Sequence, residues 1–400
     1  MKACFIGLGY IGLPTAIIAA DNGVMVHGVD INPEVVTLTN NSEVHLIEPH
    51  FDKLLKKVVE AGFLKASSSH EPSDVYVICV PTPVNSDNAP DVSFVEAAAE
   101  SLIPFLKAGD LVILESTSPV GTTRRISELI FGQRPELRNQ IYIAYCPERM
   151  IPGKALFELI HNDRVVGGID KASTRKACEF YAHFVKGNLH PTDSETAEMC
   201  KLVENSSRDV QIAFANELSI ICDKIGIDVV KLIELANKHP RVNILQPGCG
   251  VGGHCIAVDP YFITHSFPNE AKLIACAREI NTHKTAWCAE KISNLISDFE
   301  LENGRTPVVA LMGLSFKPDI DDLRESPALC IVNEVLLHHA NIEFLIVEPN
   351  ISRHSLYKLT DYNEAVAKAD IIVFLVKHSL FNNLNIGKNK RVLNFCGVEL

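Results

Sequence analysis

The chain is expected to fold as α/β, with two doubly wound parallel-sheet domains joined by a central helical domain that contains one long helix. Three observations predict this. A buried strand at the N-terminus runs into Gly7-Leu8-Gly9-Tyr10-Ile11-Gly12 and then a helix. A helical pattern continues unbroken from Thr192 to about Ile225. A second series of strands and helices follows Pro307. The expected divisions are 1–190, 191–300 and 301–400.

Lys2–Ile6 reads as a buried strand, and the three glycines after it each have a reason. In a GxGxxG turn the first allows the tight bend, the second lets a pyrophosphate reach bare backbone, and the third lets helix pack on strand. The helix should run to about Asn22, and Val24–Val29 is a second strand ending in Asp30. Strand, glycine turn, helix, strand and acid in this order define a Rossmann-like dinucleotide site, with the pyrophosphate on the helix N-terminus. Asp30 would accept from the adenosine ribose hydroxyls. Its charge would repel a 2′-phosphate, which favours NAD over NADP.

Val75–Val80, Leu111–Leu114 and Ile141–Ala144 read as further parallel strands, with a helix from about Val92 to Leu106. Ligands of open α/β sheets bind beyond the carboxyl ends of the strands. Thr82, in Pro81-Thr82-Pro83, and Thr117, in Glu115-Ser116-Thr117, are therefore placed to meet ribose and nicotinamide. Ordinary turn chemistry accounts for Thr82 equally well. Glu148, in Cys146-Pro147-Glu148-Arg149, has the position of an acid–base residue, with a solvated loop carboxylate as the alternative.

In the long helix Met199, Leu202, Val203, Val210, Ala213, Phe214 and Ile221 are expected largely on one face. Lys201, Asn205 and Arg208, at i, i+4 and i+7, form a second, polar stripe. It is either a solvated face or a cradle for an oxyanion or phosphate. Asp228–Asn237 reads as a short helix, followed by His239-Pro240-Arg241-Val242-Asn243.

Next comes Gly248-Cys249-Gly250-Val251-Gly252-Gly253-His254-Cys255, then Ile256-Ala257-Val258-Asp259-Pro260. Glycine admits close backbone approach, and a cysteine ending such a loop is a candidate nucleophile. On this stretch alone a small buried hydrophobe is the better reading of Cys255. Cys249, His254 and Cys255 lie close together but lack a second ligand pair, so no metal site is expected. Asp259-Pro260 fits a helix start, with Asp259 as N-cap and Pro260 at the first helical position. Cys255 then lies just ahead of a helix N-terminus, where the dipole favours a thiolate.

Glu270–Glu300 is mostly helical. Strands at Val308–Met312, Ile342–Val347 and Ile371–Leu375 make a second doubly wound domain, without a GxGxxG. Lys317 and Arg324, just past a strand end, suggest phosphate binding or a generic surface loop.

Composition sets the outer limits. Four hundred residues exceed one compact core. Hydrophobic content of 47% with 22% charged residues suits a soluble globular protein. The net charge of −12, from 37 basic and 49 acidic residues, offers no general attraction to nucleic acid or anionic membrane. No apolar run approaches bilayer-spanning length, and no signal peptide is expected. The twelve cysteines contain no CxxC and are expected as reduced thiols in the cytoplasm.

Taken together, in order, the early GxGxxG, Glu115-Ser116-Thr117, Cys146-Pro147-Glu148, the Lys201/Asn205 helix, the glycine-rich Cys255 loop and Phe316-Lys317 resemble the nucleotide-sugar 6-dehydrogenase family, which includes UDP-glucose dehydrogenase. The resemblance covers essentially the whole chain. It implies an N-terminal NAD-binding domain, a central helical dimerisation domain, a C-terminal UDP-sugar-binding domain and a homodimer. It implies two oxidations at C6 of a UDP-sugar, each reducing one NAD. Cys255 takes the role of nucleophile. Lys201 and Asn205 stabilise alkoxide and oxyanion, Asp259 helps to activate water, and Glu148 assists proton transfer. For NAD the resemblance points to Gly7, Gly9, Tyr10, Ile11, Gly12, Asp30, Thr82, Thr117, Phe316, Lys317 and Arg324. For the nucleotide sugar it points to Arg149, Met150, Lys201, Asn205, Arg208, Gly252, His239 and Arg241, the last two serving the neighbouring subunit's site.

Two departures separate the chain from UDP-glucose dehydrogenases. Their second glutamate, four residues after the one matched by Glu148, is Pro152 here, and their lysine before the aspartate is Val258. Both favour an N-acetylhexosamine branch, as do the segments Thr196–Leu202, Ile212–Leu218, His239–Gly248 and Gly250–Pro260. Cys249 stands where that branch leads one to expect proline, which bears on loop stiffness and exposes the neighbourhood of the nucleophile to oxidation.

Overall fold

Short strands that are apolar on both faces and alternate with helices pair in parallel and are covered on both sides. The computed structural model describes residues 1–44, 51–150 and 155–400 of the chain. Pro152 therefore lies outside the described residues. The chain divides into two units, Met1–Glu204 with Tyr261–Ser266, and Asn205–Pro260 with Phe267–Leu400.

The first unit is built on an eight-stranded sheet. Its strands are β1 (Lys2–Ile6), β2 (Met25–Val29), β3 (Leu64–Ser67), β4 (Val75–Ile78), β5 (Leu111–Leu114), β6 (Tyr142–Tyr145), β7 (Arg164–Gly168) and β8 (Leu189–Asp193), in spatial order 3-2-1-4-5-6-7-8. β1 lies between β2 and β4, with Ile6 opposite both Val29 and Ile78. The order reverses at β1, which is where an open α/β sheet forms its ligand crevice. The expected parallel sheet extends to β6. β7 then pairs antiparallel with β6 and parallel with β8, which is a departure from the all-parallel expectation. β4 and β5 are buried on every residue, so their side chains form cores on both faces of the sheet.

The second unit holds a four-stranded parallel sheet of β9 (Val308–Met312), β10 (Glu343–Val347), β11 (Ile371–Phe374) and β12 (Arg391–Asn394), in order 10-9-11-12. The helix Lys272–Asn303 lines one of its two cores through Cys288, Ile292, Ile296 and Phe299. Gly304, at φ +64°, ends that helix in the left-handed conformation that glycine adopts without penalty.

The long helix Ser194–Ile225 is present as expected, and the boundary between the units falls within it. Its sidedness is not as expected. Leu202 and Ala213 are buried, but Val203, Phe214 and Ile221 are exposed, whereas Glu198, Ser206, Asp209, Asn216 and Ser219 are buried. A buried polar side chain is costly unless it is hydrogen-bonded; Glu198, Asp209, Asn216 and Ser219 find partners, while Ser206 Oγ has none among the described residues. Within the first unit Glu198 shows how. Its carboxylate accepts from Gly121 N at 2.6 Å, Thr123 N at 2.7 Å and Thr123 Oγ1 at 2.6 Å, at the N-terminus of the helix Thr122–Gln133. Those N–H groups have no partner within their own helix, and a carboxylate there also meets the favourable end of the dipole.

Candidate active site

In the first unit the glycine turn has the geometry that a dinucleotide requires. Gly7 sits at φ +91°, and a Cβ there would come within 2.8 Å of Cys79 O. A Cβ on Gly12 would stand 1.9 Å from Gly7 O, so the helix starts where only glycine fits. At Gly9 nothing lies within 4 Å of a Cβ position, which leaves bare backbone facing open space at the pyrophosphate position. Asp30 braces this turn, accepting Leu8 N on Oδ2 and Asn32 N on Oδ1, each at 2.8 Å. Two bonds leave a carboxylate further acceptor capacity for ribose hydroxyls. Tyr10 is exposed, and Ile11 packs on the core. Beyond the end of β4, Thr82 Oγ1 is buried without a hydrogen-bond partner among the described residues. Thr117, beyond β5, is half-buried. The orphaned hydroxyl and the open second glycine fit a nicotinamide dinucleotide.

Glu148 follows β6 and is buried. Burial pushes its carboxyl pKa up from the ordinary 4.5, against the opposing pull of the Lys201 and Arg164 cations. Lys201 Nζ donates to Glu148 O at 2.7 Å, so the ammonium on the long helix is tied to the loop that carries the acid. Behind them, and not anticipated from the sequence, lies a fully buried ion pair: Arg164 Nη1 meets Glu115 Oε1 at 2.9 Å. The Arg164 guanidinium also lies over the Tyr181 ring, 4.8 Å from its centroid. Arg149 is held by Glu204, Nη2 to Oε1 at 2.6 Å, and by Asp163 O at 3.1 Å. Met150 donates its N–H to the Glu148 carboxylate and packs against the core.

In the second unit Asn205 Nδ2 donates to Asp259 Oδ2 at 2.5 Å. The helix Asp259–Ser266 begins at Asp259 itself, one residue earlier than the expected capping arrangement. Its first turn is closed by Asp259 N bonding to Cys255 O at 2.8 Å. The amide of Asn205, the acid of Asp259 and the backbone of Cys255 are thus joined in sequence. Cys255 itself is half-buried. Arg208 is exposed, and the buried residue that continues the Lys201–Asn205 face is Asp209. His239 and Arg241 lie exposed in the turn after the helix Val229–Ala236, with Arg241 N bonded to His239 Nδ1 at 3.3 Å.

The cysteine loop lies against the start of the second sheet domain. A Cβ on Gly252 would fall 2.4 Å from Glu325 O and 2.8 Å from Phe316 Cβ. Gly253, at φ +80°, packs on the Phe316 ring and donates its N–H to Arg324 O at 3.2 Å. Lys317 is exposed, and Arg324 forms a two-toothed ion pair with Asp322. Phe316, Lys317 and Arg324 therefore belong to the unit that carries Cys255, while Gly7, Asp30, Thr82 and Thr117 belong to the other.

Cys249 has a structural place. Its Sγ donates to Leu375 O at 3.3 Å inside the core, and the neighbouring Cys288 thiol together with burial pushes its pKa well above the ordinary value.

The second sheet also repeats the turn of the first, although it lacks the glycine motif. Gly313 N bonds to Val347 O at 2.8 Å, as Gly7 N bonds to Val29 O at 2.8 Å. Leu314 N bonds to Glu348 Oε2 at 2.8 Å, as Leu8 N does to Asp30. Glu348 is buried, and burial alone would raise its pKa. The His378 ring and the Leu314 and Asn350 N–H groups instead hold it down at about 2. The signal available in the sequence was the acid just past the end of β10, the position that Asp30 holds past the end of β2.

A switch-point glycine turn with a bracing acid fits a nicotinamide-dinucleotide-linked oxidoreductase, and a second sheet domain repeats that turn. The chain belongs to the UDP-glucose/GDP-mannose dehydrogenase family, whose NAD binding domain matches residues 1–185, central domain residues 195–283 and UDP binding domain residues 310–396. It is an NAD-dependent dehydrogenase. It is 50% identical to the UDP-N-acetyl-D-mannosamine dehydrogenase of Escherichia coli (strain K12), over 95% of this chain and 94% of that protein. It is 47% identical to the NDP-N-acetyl-D-galactosaminuronic acid dehydrogenase of Ralstonia nicotianae, over 95% of this chain and 91% of that protein. The structure of the UDP-D-ManNAc dehydrogenase from Pyrococcus horikoshii superposes with a TM-score of 0.88 at 37% identity, covering 99% of this chain and 96% of that one. Among the described residues no helix is long and apolar enough to cross a membrane.

Proposed function

We propose that the protein oxidises UDP-N-acetyl-D-mannosamine at C6 to the uronate, reducing two NAD per sugar. The observation that carries this reading is that Asn205 bonds the Asp259 carboxylate and Asp259 N–H bonds the Cys255 backbone carbonyl, because a four-electron oxidation needs a nucleophile, an oxyanion donor and an acid on neighbouring chain segments. The names of the relatives support the choice of sugar.

Bound NAD supplies the hydride acceptor, once for each oxidation. The residues of the chain do the rest. Lys201 and Asn205 stabilise the alkoxide as the C6 hydroxyl loses its proton. An aldehyde carries no transferable hydride in a useful form until a nucleophile adds to it. The Cys255 thiolate adds to the carbonyl carbon, and the resulting thiohemiacetal loses hydride to become a thioester. Water, activated by Asp259, attacks the thioester; the C–S bond breaks, the thiol is restored and the carboxylate leaves. Glu148 carries protons in that hydrolysis. Two hydrides leave the carbon, and one water supplies the added oxygen.

Glu148→Gln is the pH test of this scheme. Acting as a base, Glu148 must be ionised, so activity should rise with pH through its folded pKa. Burial places that midpoint above the ordinary 4.5. The variant should lose this limb in a kcat–pH profile while keeping NAD affinity. An unchanged limb would remove Glu148 from the scheme.

The substrate is tested by offering UDP-N-acetylmannosamine, UDP-N-acetylglucosamine and UDP-N-acetylgalactosamine separately and recording NADH. The mannosamine sugar should have the highest kcat/KM and yield two NADH per sugar. Preference for another sugar overturns the specificity, and one NADH with a stable carbonyl product overturns the chemistry. The galactosamine sugar is the second reading, supported by the Ralstonia relative.

We further propose that the protein acts as a homodimer built on its central helices. Phe214, Ile221 and Ile225 stand 51%, 49% and 62% exposed on the long helix. Such a row of large apolar side chains is characteristic of an interface.

A further inference from the structure

Within the second unit a row of buried polar side chains lies behind the loop that carries Cys255, and the reaction as written uses none of them. We propose that Asp209, Asn281 and Asn216 form a directional hydrogen-bond relay which, with a separate clamp from the half-buried Thr285, positions this loop, and so positions the Cys255 thiol. The proposal rests on Cys255 being the nucleophile.

Its direction follows from what each atom can do. The Asp209 backbone carbonyl can only accept, and Asn281 Nδ2 reaches it at 3.1 Å and Asp209 Oδ1 at 2.8 Å. Asn281 therefore turns its nitrogen toward Asp209 and its oxygen away. That oxygen accepts from Asn216 Nδ2 at 2.8 Å. Asn216 is left with its oxygen facing the loop, where it accepts Gly248 N–H at 2.9 Å. Each amide fixes the orientation of the next, so the Gly248 bond depends on a residue two steps removed. Arg278 Nη1 anchors the far end, 2.7 Å from Asp209 Oδ1.

Thr285, one helical turn beyond Asn281, adds a second clamp. Its hydroxyl donates to Cys249 O at 2.9 Å. A Cβ on Gly250 would lie 2.4 Å from that same hydroxyl and 3.1 Å from Asn281 O, so the loop rests directly on this helix. Asp209, Asn216 and Asn281 are buried. In that setting an unsatisfied amide is costly, and the relay resists reorientation. The bonds at Gly248 and Cys249 restrain the loop just ahead of Cys255. These four are positioning residues, since they act through the loop.

The relay is tested with Thr285→Val, Thr285→Ser and Asn216→Asp in the full-length enzyme. Asn216→Asp keeps an acceptor for Gly248 N–H but sets a carboxylate oxygen against Asn281 Oδ1, which contradicts the direction of the relay. The readout is single-turnover NADH formation with Tm and NAD affinity measured alongside. The first hydride transfer needs no thiol, while the second does. In Thr285→Val and Asn216→Asp the second transfer should slow by about 10- to 100-fold and the first stay within about threefold. Thr285→Ser should restore the second. Wild-type second-transfer rates in both variants overturn the proposal. So does a loss that disappears when rates are expressed per folded molecule, because that is a purely structural role. Full turnover by Cys255→Ala would instead reject the underlying reading of the nucleophile, whatever the relay variants do.

Discussion

Cys255→Ala is expected to stop uronate formation, lowering turnover by on the order of 10³-fold or more, the scale seen when a nucleophile is removed. NAD binding should survive, because the substitution removes a single thiol and leaves in place the Gly7–Gly12 turn and the Asp30 carboxylate that braces it. The first oxidation should survive as well, so that NADH rises to at most one per sugar and an aldehyde-level product forms. Stopped-flow absorbance of NADH with mass analysis of the sugar checks both statements. A variant that still makes uronate at the wild-type rate removes the thioester from the mechanism and returns Cys255 to a packing role.

Lys201→Ala should cost about 10²- to 10³-fold in kcat, the range for losing one oxyanion donor. Lys201 Nζ also holds Glu148 O at 2.7 Å, so its loss frees the loop that carries the acid–base residue. Lys201→Arg is not expected to rescue. A planar guanidinium distributes its donors as a fork and cannot reproduce a compact ammonium. Measured kcat/KM should fall in both variants with NAD affinity near that of the wild type. A loss confined to KM would mean that Lys201 binds the ground state and the transition state equally.

Much of the architecture was legible from local pattern. β1, the Gly7–Gly12 turn and Asp30 announce themselves because tight turns and close approach leave glycine no substitute, as the 1.9 Å clash at Gly12 shows. The strands β4, β5, β9 and β11 are short apolar runs whose burial is total or nearly so. β8, Leu-His-Pro-Thr-Asp, has no such pattern. Neither the antiparallel turn at β7 nor the repeated glycine turn at Gly313 can be read from composition, since both depend on which strand lies alongside.

The long helix shows where periodicity stops being informative. A stripe of apolar residues marks one face but does not say what that face meets. Val203, Phe214 and Ile221 form such a stripe and stand exposed, while Asp209 and Asn216 are inside. Polar side chains are tolerated there because Arg278 and Asn281 bond Asp209 Oδ1 and Gly248 bonds Asn216, and those partners lie between 32 and 72 residues away in the chain. Arg208 and Asp209 are neighbours in sequence, yet only Asp209 faces inward.

By itself, then, the sequence determined the dinucleotide turn, the alternation of strands and helices, the long helix and the residue types that oxidation at C6 would require, all of which are properties of short stretches of chain. Only the tertiary structure decided which groups meet: Asn205 on Asp259, Lys201 on the Glu148 loop, Cys249 in the core, and a buried amide relay beneath the Cys255 loop. The physical reason is that hydrogen-bond partnership and desolvation are set by distance in space, and these residues come together only after strands and helices distant in sequence have packed.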